Sequence, residues 1–289
     1  MMITVFTPTY NRAYILPKLF ESLCKQTCKD FEWVVVDDGS KDDTKQLFDT
    51  WIPESDLKIT YIQQPNGGKH RAINKGVAHA AGELFFIVDS DDQLPQTSIE
   101  RILYHYEGIK GNPRFGGLSG LDAYFTGEIV GNTPSFGTID CSCFDIRYKY
   151  RIKGDMAEVF LTKVLKEFPF PEIPGERFCP EVLIWNRIAL KYELRYFSEP
   201  IYLCDYLPDG LTAAITRVRM QSPVASCYTY QELTKAPIPF LYKLRASINY
   251  WRFYFCKSDN KKPGINAIWY ITKPLGYIMH HRDLKKQKM

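Results

Sequence analysis

No stretch of this 289-residue chain reaches the about 18 uninterrupted apolar residues that a bilayer-spanning helix requires, which argues against a transmembrane protein. No basic segment precedes the short apolar start at Met1–Phe6, and Pro8 and Asn11 follow at once, so a secretory leader is not expected. The eight cysteines lack CxxC spacing. Cys24/Cys28 and Cys141/Cys143 have no histidine beside them, so they read as reduced thiols rather than zinc ligands. Histidine is scarce, and His70, His79 and His105 stand isolated, as packing or surface residues do. Internal repeats and low-complexity blocks are also missing. These absences point to a soluble, ordered protein of the cytoplasm.

Charge is unevenly spread. Residues 240–289 carry eleven Lys/Arg against two Asp/Glu, which leaves 26 basic against 31 acidic residues in the remainder. Ten aromatics share that basic tail, as in Tyr242-Lys243-Leu244-Arg245. Basic residues beside Trp and Tyr suit an anionic inner leaflet, and the competing reading is that these rings pack the tail on the body. A nucleic-acid surface is not expected, because no recognised binding module accompanies the charge.

The first 110 residues alternate short β-rich runs with helical patterns. Ile3–Phe6, Trp33–Val36, Lys58–Ile62 and Leu84–Val88 read as strands. Between them, Ile15, Leu16, Leu19, Phe20 and Leu23 fall at helical spacing, Asp42 and Asp43 open a second helix, and Lys69–Ala80 forms a third. This order predicts an α/β fold with a parallel sheet. Residues 115–145 are punctuated by glycine and predict short antiparallel strands with long loops. Helical signal returns at Ala157–Glu167 and Glu181–Tyr192, and the tail mixes helical spacing with breaks at Pro263, Gly264, Pro274 and Gly276.

In a parallel sheet, ligands bind at the carboxyl ends of the strands. Here all four early strands end in polar turns: Thr7–Arg12, Asp37–Ser40, Gln64–Lys69 and Asp89–Asp92. Asp89 and Asp91 lie two apart on an extended segment, so their carboxylates face the same way. A hard divalent cation would relieve that repulsion and offset charge on a leaving diphosphate; a solvated acidic turn capping a helix at 96–107 is the competing reading. Asp37 and Asp38 could accept hydrogen bonds from a base or ribose, or cap the next helix. Asn66-Gly67-Gly68-Lys69 suits a phosphate at a helix start, or is an ordinary tight turn. It is not a Walker loop, since His70 follows Lys69.

Taken together, Thr7-Pro8-Thr9-Tyr10-Asn11-Arg12, Val35-Val36-Asp37-Asp38-Gly39-Ser40, Asn66-Gly67-Gly68 through Ala72, Asn74 and Gly76, and Gly82-Glu83 leading into Asp89-Ser90-Asp91-Asp92 resemble the family 2 glycosyltransferases of GT-A fold. The resemblance spans roughly residues 3–110. It implies an inverting transferase with a mostly parallel central sheet flanked by helices, using a nucleotide-sugar and Mn²⁺ or Mg²⁺. A UDP-sugar is the favoured donor, with GDP and TDP as alternatives, and a saccharide or lipid-linked saccharide of the cell envelope is the acceptor. By the same likeness Pro8, Tyr10 and Asp38 hold the nucleoside, Lys69 and Arg71 lie beside the nucleotide, and Asp91 with Asp89 binds the metal. A catalytic base is expected about a hundred residues later, where Pro180-Glu181 replaces the family's Glu-Asp pair; the role falls on Glu181, with Glu176 its rival. Asp155 and Asp209 are secondary acceptor-site candidates.

The expected organisation is a nucleotide-sugar-binding half (1–110), an acceptor-binding half (111–239) and a helical, basic and aromatic C-terminal extension (240–289). Two other readings compete. A sugar-nucleotide nucleotidyltransferase carries a glycine-rich loop after its first strand, and Thr7–Arg12 has no glycine. A non-catalytic nucleotide- or glycan-binding scaffold has no need of Asp89, Asp91 and Glu181.

Overall fold

The computed structural model describes residues 1–205, 214–257 and 264–287. They form two compact units, one of Met1–Pro169 with Lys191–Asp205, the other of Phe170–Leu190 with the described part of 206–289.

The first unit is built on one eight-stranded sheet of order β3-β2-β1-β4-β7-β5-β8-β6. Its opening half comprises β1 (Ile3–Thr9), α1 (Leu16–Cys24), β2 (Phe31–Asp37), α2 (Thr44–Glu54), β3 (Ile59–Gln63), α3 (Lys69–His79), β4 (Leu84–Ile87) and α4 (Ser98–Glu107). β3, β2, β1 and β4 run parallel. β1 and β2 are buried at every position, as strands covered on both faces must be, and this explains their unbroken apolar runs. In α1, Leu16, Leu19 and Leu23 recur on the buried side, and Pro17 sits in the first turn, where its missing N–H costs nothing.

The second half departs from expectation. It comprises β5 (Phe115–Tyr124), β6 (Thr138–Cys141), α5 (Cys143–Tyr148), β7 (Met156–Leu161), α6 (Thr162–Glu167) and, after an excursion into the other unit, β8 (Glu193–Cys204). β5 is a long strand rather than a set of short antiparallel ones, and it pairs parallel with β8. The helix expected over Ala157–Glu167 is strand first: β7 runs antiparallel between β4 and β5, and only Thr162–Glu167 is helical. A six-residue stretch with five apolar residues and Glu158 carries no decisive period, and pairing with β4 on one side and β5 on the other makes it a strand.

The second unit contains α7 (Glu181–Ala189), α8 (Ile215–Gln221), α9 (Pro223–Lys235), α10 (Phe240–Tyr254), a 3-10 turn (Ala267–Thr272) and α11 (Lys273–Gln287). Its core gathers Cys227, Tyr250, Trp251, Phe253, Ile265 and Trp269. Pro274 and Gly276 do not break the chain here: Pro274 occupies the first turn of α11, and Gly276 lies inside it. Among the described residues no helix is long and apolar enough to cross a membrane.

One contact tests the packing of α3 on the sheet. A Cβ at Gly76 would come within 2.1 Å of Phe6 Cε2 on β1. Gly76→Ala is therefore expected to cost about 1–3 kcal/mol by overpacking, read as a lower urea midpoint. An unchanged midpoint would contradict this packing.

Candidate active site

Because β1 to β4 are parallel, their polar ends gather along one edge. Thr9 pairs in register with Asp37, and Asp37 with Gln63, while Val88 N–H donates to Phe6 O at 2.8 Å. The first loop is fixed by Asn11, in left-handed backbone at φ 53°, whose N–H donates to Ser40 Oγ and whose Oδ1 accepts from Lys41 N–H, both at 2.8 Å. Pro8 is buried beside Val36, whereas the Tyr10 ring is 46% exposed at the mouth of this edge.

Asp37 and Asp38 are buried and already engaged. Asp37 accepts from Ser40 N–H at 2.8 Å and from the Tyr61 hydroxyl at 2.5 Å. The Asp38 carboxylate accepts from the N–H groups of Gly67 and Gly68, at 2.8 and 2.7 Å, and from the Gln64 amide at 2.8 Å. The two glycine amides expected to cradle a phosphate thus point at Asp38 instead, and charge-assisted bonds of this length are strong. Asp38 shapes the Asn66–Lys69 turn, with Gly68 at φ 98°, and so aims α3. Arg71 donates back to Gly67 O at 2.9 Å from within that helix.

The acidic segment after β4 meets cations from two neighbouring loops. Lys69 Nζ stands 2.7 Å from both oxygens of Asp89, and Arg12 lies 3.7 Å from Asp91. Burial and the charge of Asp89 push the Asp91 carboxyl above its ordinary range. Asp92 is more deeply buried, and the same two causes push it up to about 8. From behind, the Tyr202 hydroxyl donates to Asp92 Oδ2 at 2.7 Å and accepts from Asp89 N–H at 2.9 Å. Gln93 and Leu203 exchange backbone bonds in both directions at 2.9 Å, so the end of β8 clamps the acidic turn. Arg101 of α4 grips Glu199 of β8 through two bonds of 2.6 and 2.9 Å, which secures the clamp.

The donor set fits a hard divalent cation. Asp89 and Asp91 offer oxygens only, remain partly exposed, and repel each other. Among the described residues no three His, Cys, Asp or Glu side chains form a ready-made cage. A cation held by two carboxylates would take its remaining oxygens from a substrate, as Mg²⁺ and Mn²⁺ do with diphosphates.

Two residues near this edge carried no sequence signal. Tyr202 is one. Asp122 of β5 is the other: it pairs in register with Tyr202, is 6% exposed, and its Oδ1 accepts no hydrogen bond. Burial, with the charges of Glu158 and Asp155, pushes its carboxyl up to about 8. Asp155 itself is exposed.

Glu181 and Glu176 belong to the second unit. Glu181 opens α7, half-buried, with Pro180 in extended backbone before it; a carboxylate there is favoured by the helix dipole. Glu176 is 6% exposed and caps α9, accepting from Val224 and Ala225 N–H at 2.6 and 2.9 Å. Asp209 lies outside the described residues.

The clamp yields a direct test. Tyr202→Phe strips buried partners from Asp92 and from Asp89 N–H, so stability is expected to fall by about 1–3 kcal/mol in urea denaturation. A variant as stable as the parent would show that the hydroxyl holds nothing.

The model of glycosyl transferase family 2 matches residues 4–110. Over 226 residues the chain is 35% identical to glycosyltransferase GlyG of Streptococcus pneumoniae, covering 70% of each protein. It is 32% identical over 192 residues to the GalNAc(5)-diNAcBac-PP-undecaprenol beta-1,3-glucosyltransferase of Campylobacter jejuni, covering 63% of this chain and 58% of that one. In fold it is similar to S. aureus TarS 1–349 in complex with UDP-GlcNAc, with a TM-score of 0.63 at 20% identity over 96% of this chain and 79% of that one. A mannosyltransferase from Pyrobaculum calidifontis, solved with GDP-Man and Mn²⁺, gives 0.57 at 19% identity, covering 96% and 73%. The chain belongs to glycosyl transferase family 2 and has the GT-A fold, a mostly parallel sheet flanked by helices.

Proposed function

We propose that this protein transfers a sugar, with inversion, from a nucleotide-diphosphate donor to an acceptor hydroxyl in cell-envelope polysaccharide or glycolipid synthesis. The observation that carries the reading is the Asp89/Asp91 pair at the end of β4, partly exposed and faced by Lys69 and Arg12. Pro8, Tyr10, Asp37 and Asp38 form the nucleoside side of the site, the two aspartates by fixing its loops, and Lys69 and Arg71 attend the diphosphate. Asp91 and Asp89 hold a divalent cation, Mn²⁺ or Mg²⁺, which when bound supplies Lewis-acid stabilisation of the leaving diphosphate. Lys69, released from Asp89, can then pair with a phosphate oxygen.

Glu181 takes the proton of the acceptor hydroxyl as its oxygen bonds to the anomeric carbon and the bond to the diphosphate breaks. It stands at the N-terminus of α7, the positive end of that helix's dipole. Asp122, Asp155 and Asp209 are secondary acceptor-side candidates, whereas Glu176 serves as a cap. A UDP-sugar is the favoured donor, in line with the UDP-GlcNAc of one structural neighbour; GDP- and TDP-sugars are the alternatives. The PP-undecaprenol in the name of the C. jejuni relative supports a lipid-linked saccharide as acceptor and a place at the inner face of the membrane, reached through residues 240–289.

Turnover of a panel of nucleotide-sugars, with and without Mn²⁺, tests the assignment. Asp91→Asn is expected to lower kcat/KM by about 10³-fold or more. Glu181→Gln should lower kcat by roughly 10²–10⁴-fold with little change in donor KM. Full activity after chelation and in Asp91→Asn would refute the metal assignment, and full activity in Glu181→Gln would refute the base.

A further inference from the structure

α11 buries small and polar residues and leaves large apolar ones exposed. The side turned to the core carries Gly276, His280 and Asp283, while Leu275 and Ile278 face outward, 51% and 55% exposed. Arg282 and Lys285 continue that outward side at helical spacing, so it is apolar in its first half and basic in its second.

Two contacts lock this orientation. A Cβ at Gly276 would fall 2.3 Å from Trp251 Cβ, so only glycine permits this approach to α10. About two helical turns further on, Asp283 receives two bonds from Arg252, at 2.5 and 2.8 Å. Rotating α11 to bury Leu275 would break the ion pair and drive a larger side chain into Trp251. The outward apolar side is therefore imposed by the packing.

Large apolar side chains are also exposed before α11. Ile271 and Ile268, in the 3-10 turn, are 81% and 68% exposed. Phe240 packs on Trp269 of that turn with ring centroids 5.8 Å apart, and remains 65% exposed beside Leu241 at 69%. Lys273, Arg282, Lys285 and Lys286 flank it, all exposed. Asp283 is the only acidic residue in the described parts of 240–287, and it is buried against Arg252. Among the described residues of 240–287 this outward surface has no carboxylate, and so lacks what a second copy of itself would need as a counter-charge. It complements an anionic surface with an apolar interior.

We infer that α11 and the preceding 3-10 turn form a docking surface that lies in the headgroup plane of an anionic bilayer. Ile268, Ile271, Leu275 and Ile278 enter the acyl boundary, and Arg282, Lys285 and Lys286 pair with lipid phosphates. α11 lies along the membrane and does not cross it. The inference deepens the inner-leaflet contact of the proposed function and rests on that reading for its purpose, but binding itself requires no turnover.

Flotation of the full chain with phosphatidylcholine vesicles, plain or containing about 30% phosphatidylglycerol, is the test. The protein is expected to float with the anionic vesicles only, and less so in high salt. Leu275→Asp/Ile278→Asp should lower the bound fraction by roughly tenfold or more. Lys285→Glu/Lys286→Glu should weaken binding comparably while leaving the apolar side chains in place. All four positions are exposed, so an unchanged thermal melt separates lost docking from lost folding. Equal flotation of the parent and both variants, or parent binding indifferent to lipid charge, would overturn the inference. So would a parent that ignores vesicles but forms a dimer by light scattering that Leu275→Asp/Ile278→Asp abolishes. Sugar transfer to a water-soluble acceptor is scored separately: its loss bears on the proposed function, and lost flotation bears on the docking surface.

Discussion

Three carboxylates within four consecutive positions, Asp89, Asp91 and Asp92, set the problem that the surrounding structure solves. Like charges this close cannot all stay ionised in a partly buried turn without counter-charge or proton. Each receives a different answer: Lys69 sits on Asp89, Arg12 stands near Asp91, and Asp92 favours its proton under the Tyr202 hydroxyl. The strand order makes this feasible. β1 lies next to β4, so its loop brings Arg12 across, and the Asp38-braced turn after β3 starts α3 at Lys69. In the proposed function a divalent cation takes the place of Lys69 and Arg12, leaving both to a diphosphate.

The outer strands serve the same turn from behind. β7 closes the free edge of β4, β5 pairs with β7, and β8 returns to lay Tyr202 and Leu203 against residues 89–93. The long excursion between β7 and β8 builds α7 in the other unit, where Glu181 begins a helix and Glu176 anchors another. The basic tail is equally structured. Trp251, Phe253 and Trp269 pack inward in the core of the second unit, while the first half of the outward side of α11 stays apolar.

What the sequence revealed follows from physics that acts locally. β1 and β2 are covered on both faces, so their unbroken apolar runs are readable as strands, and the polar turn after each strand marks the edge along which those turns gather. Longer-range effects were hidden. β7 reads as helix because a six-residue stretch has no decisive period and its pairing partners are distant in sequence. β8 escaped notice because Pro200 interrupts it, and its register with β5 shifts around that point. Asp38 read as a possible ligand for a base or ribose, but its geminal oxygens are occupied by glycine amides that only folding brings there. Tyr202 reaches Asp89 and Asp92 across more than a hundred residues of sequence, and neither Tyr202 nor Asp122 forms a motif.

The account stands or falls on whether Asp89 and Asp91 accept a divalent cation once a nucleoside diphosphate is present. Electron paramagnetic resonance titration of Mn²⁺ with UDP measures this without any turnover. The free-ion signal should fall as the parent protein is added and persist with Asp89→Asn/Asp91→Asn at the same concentration. If parent and variant removed the signal equally, the metal would be held elsewhere and the central claim would be wrong.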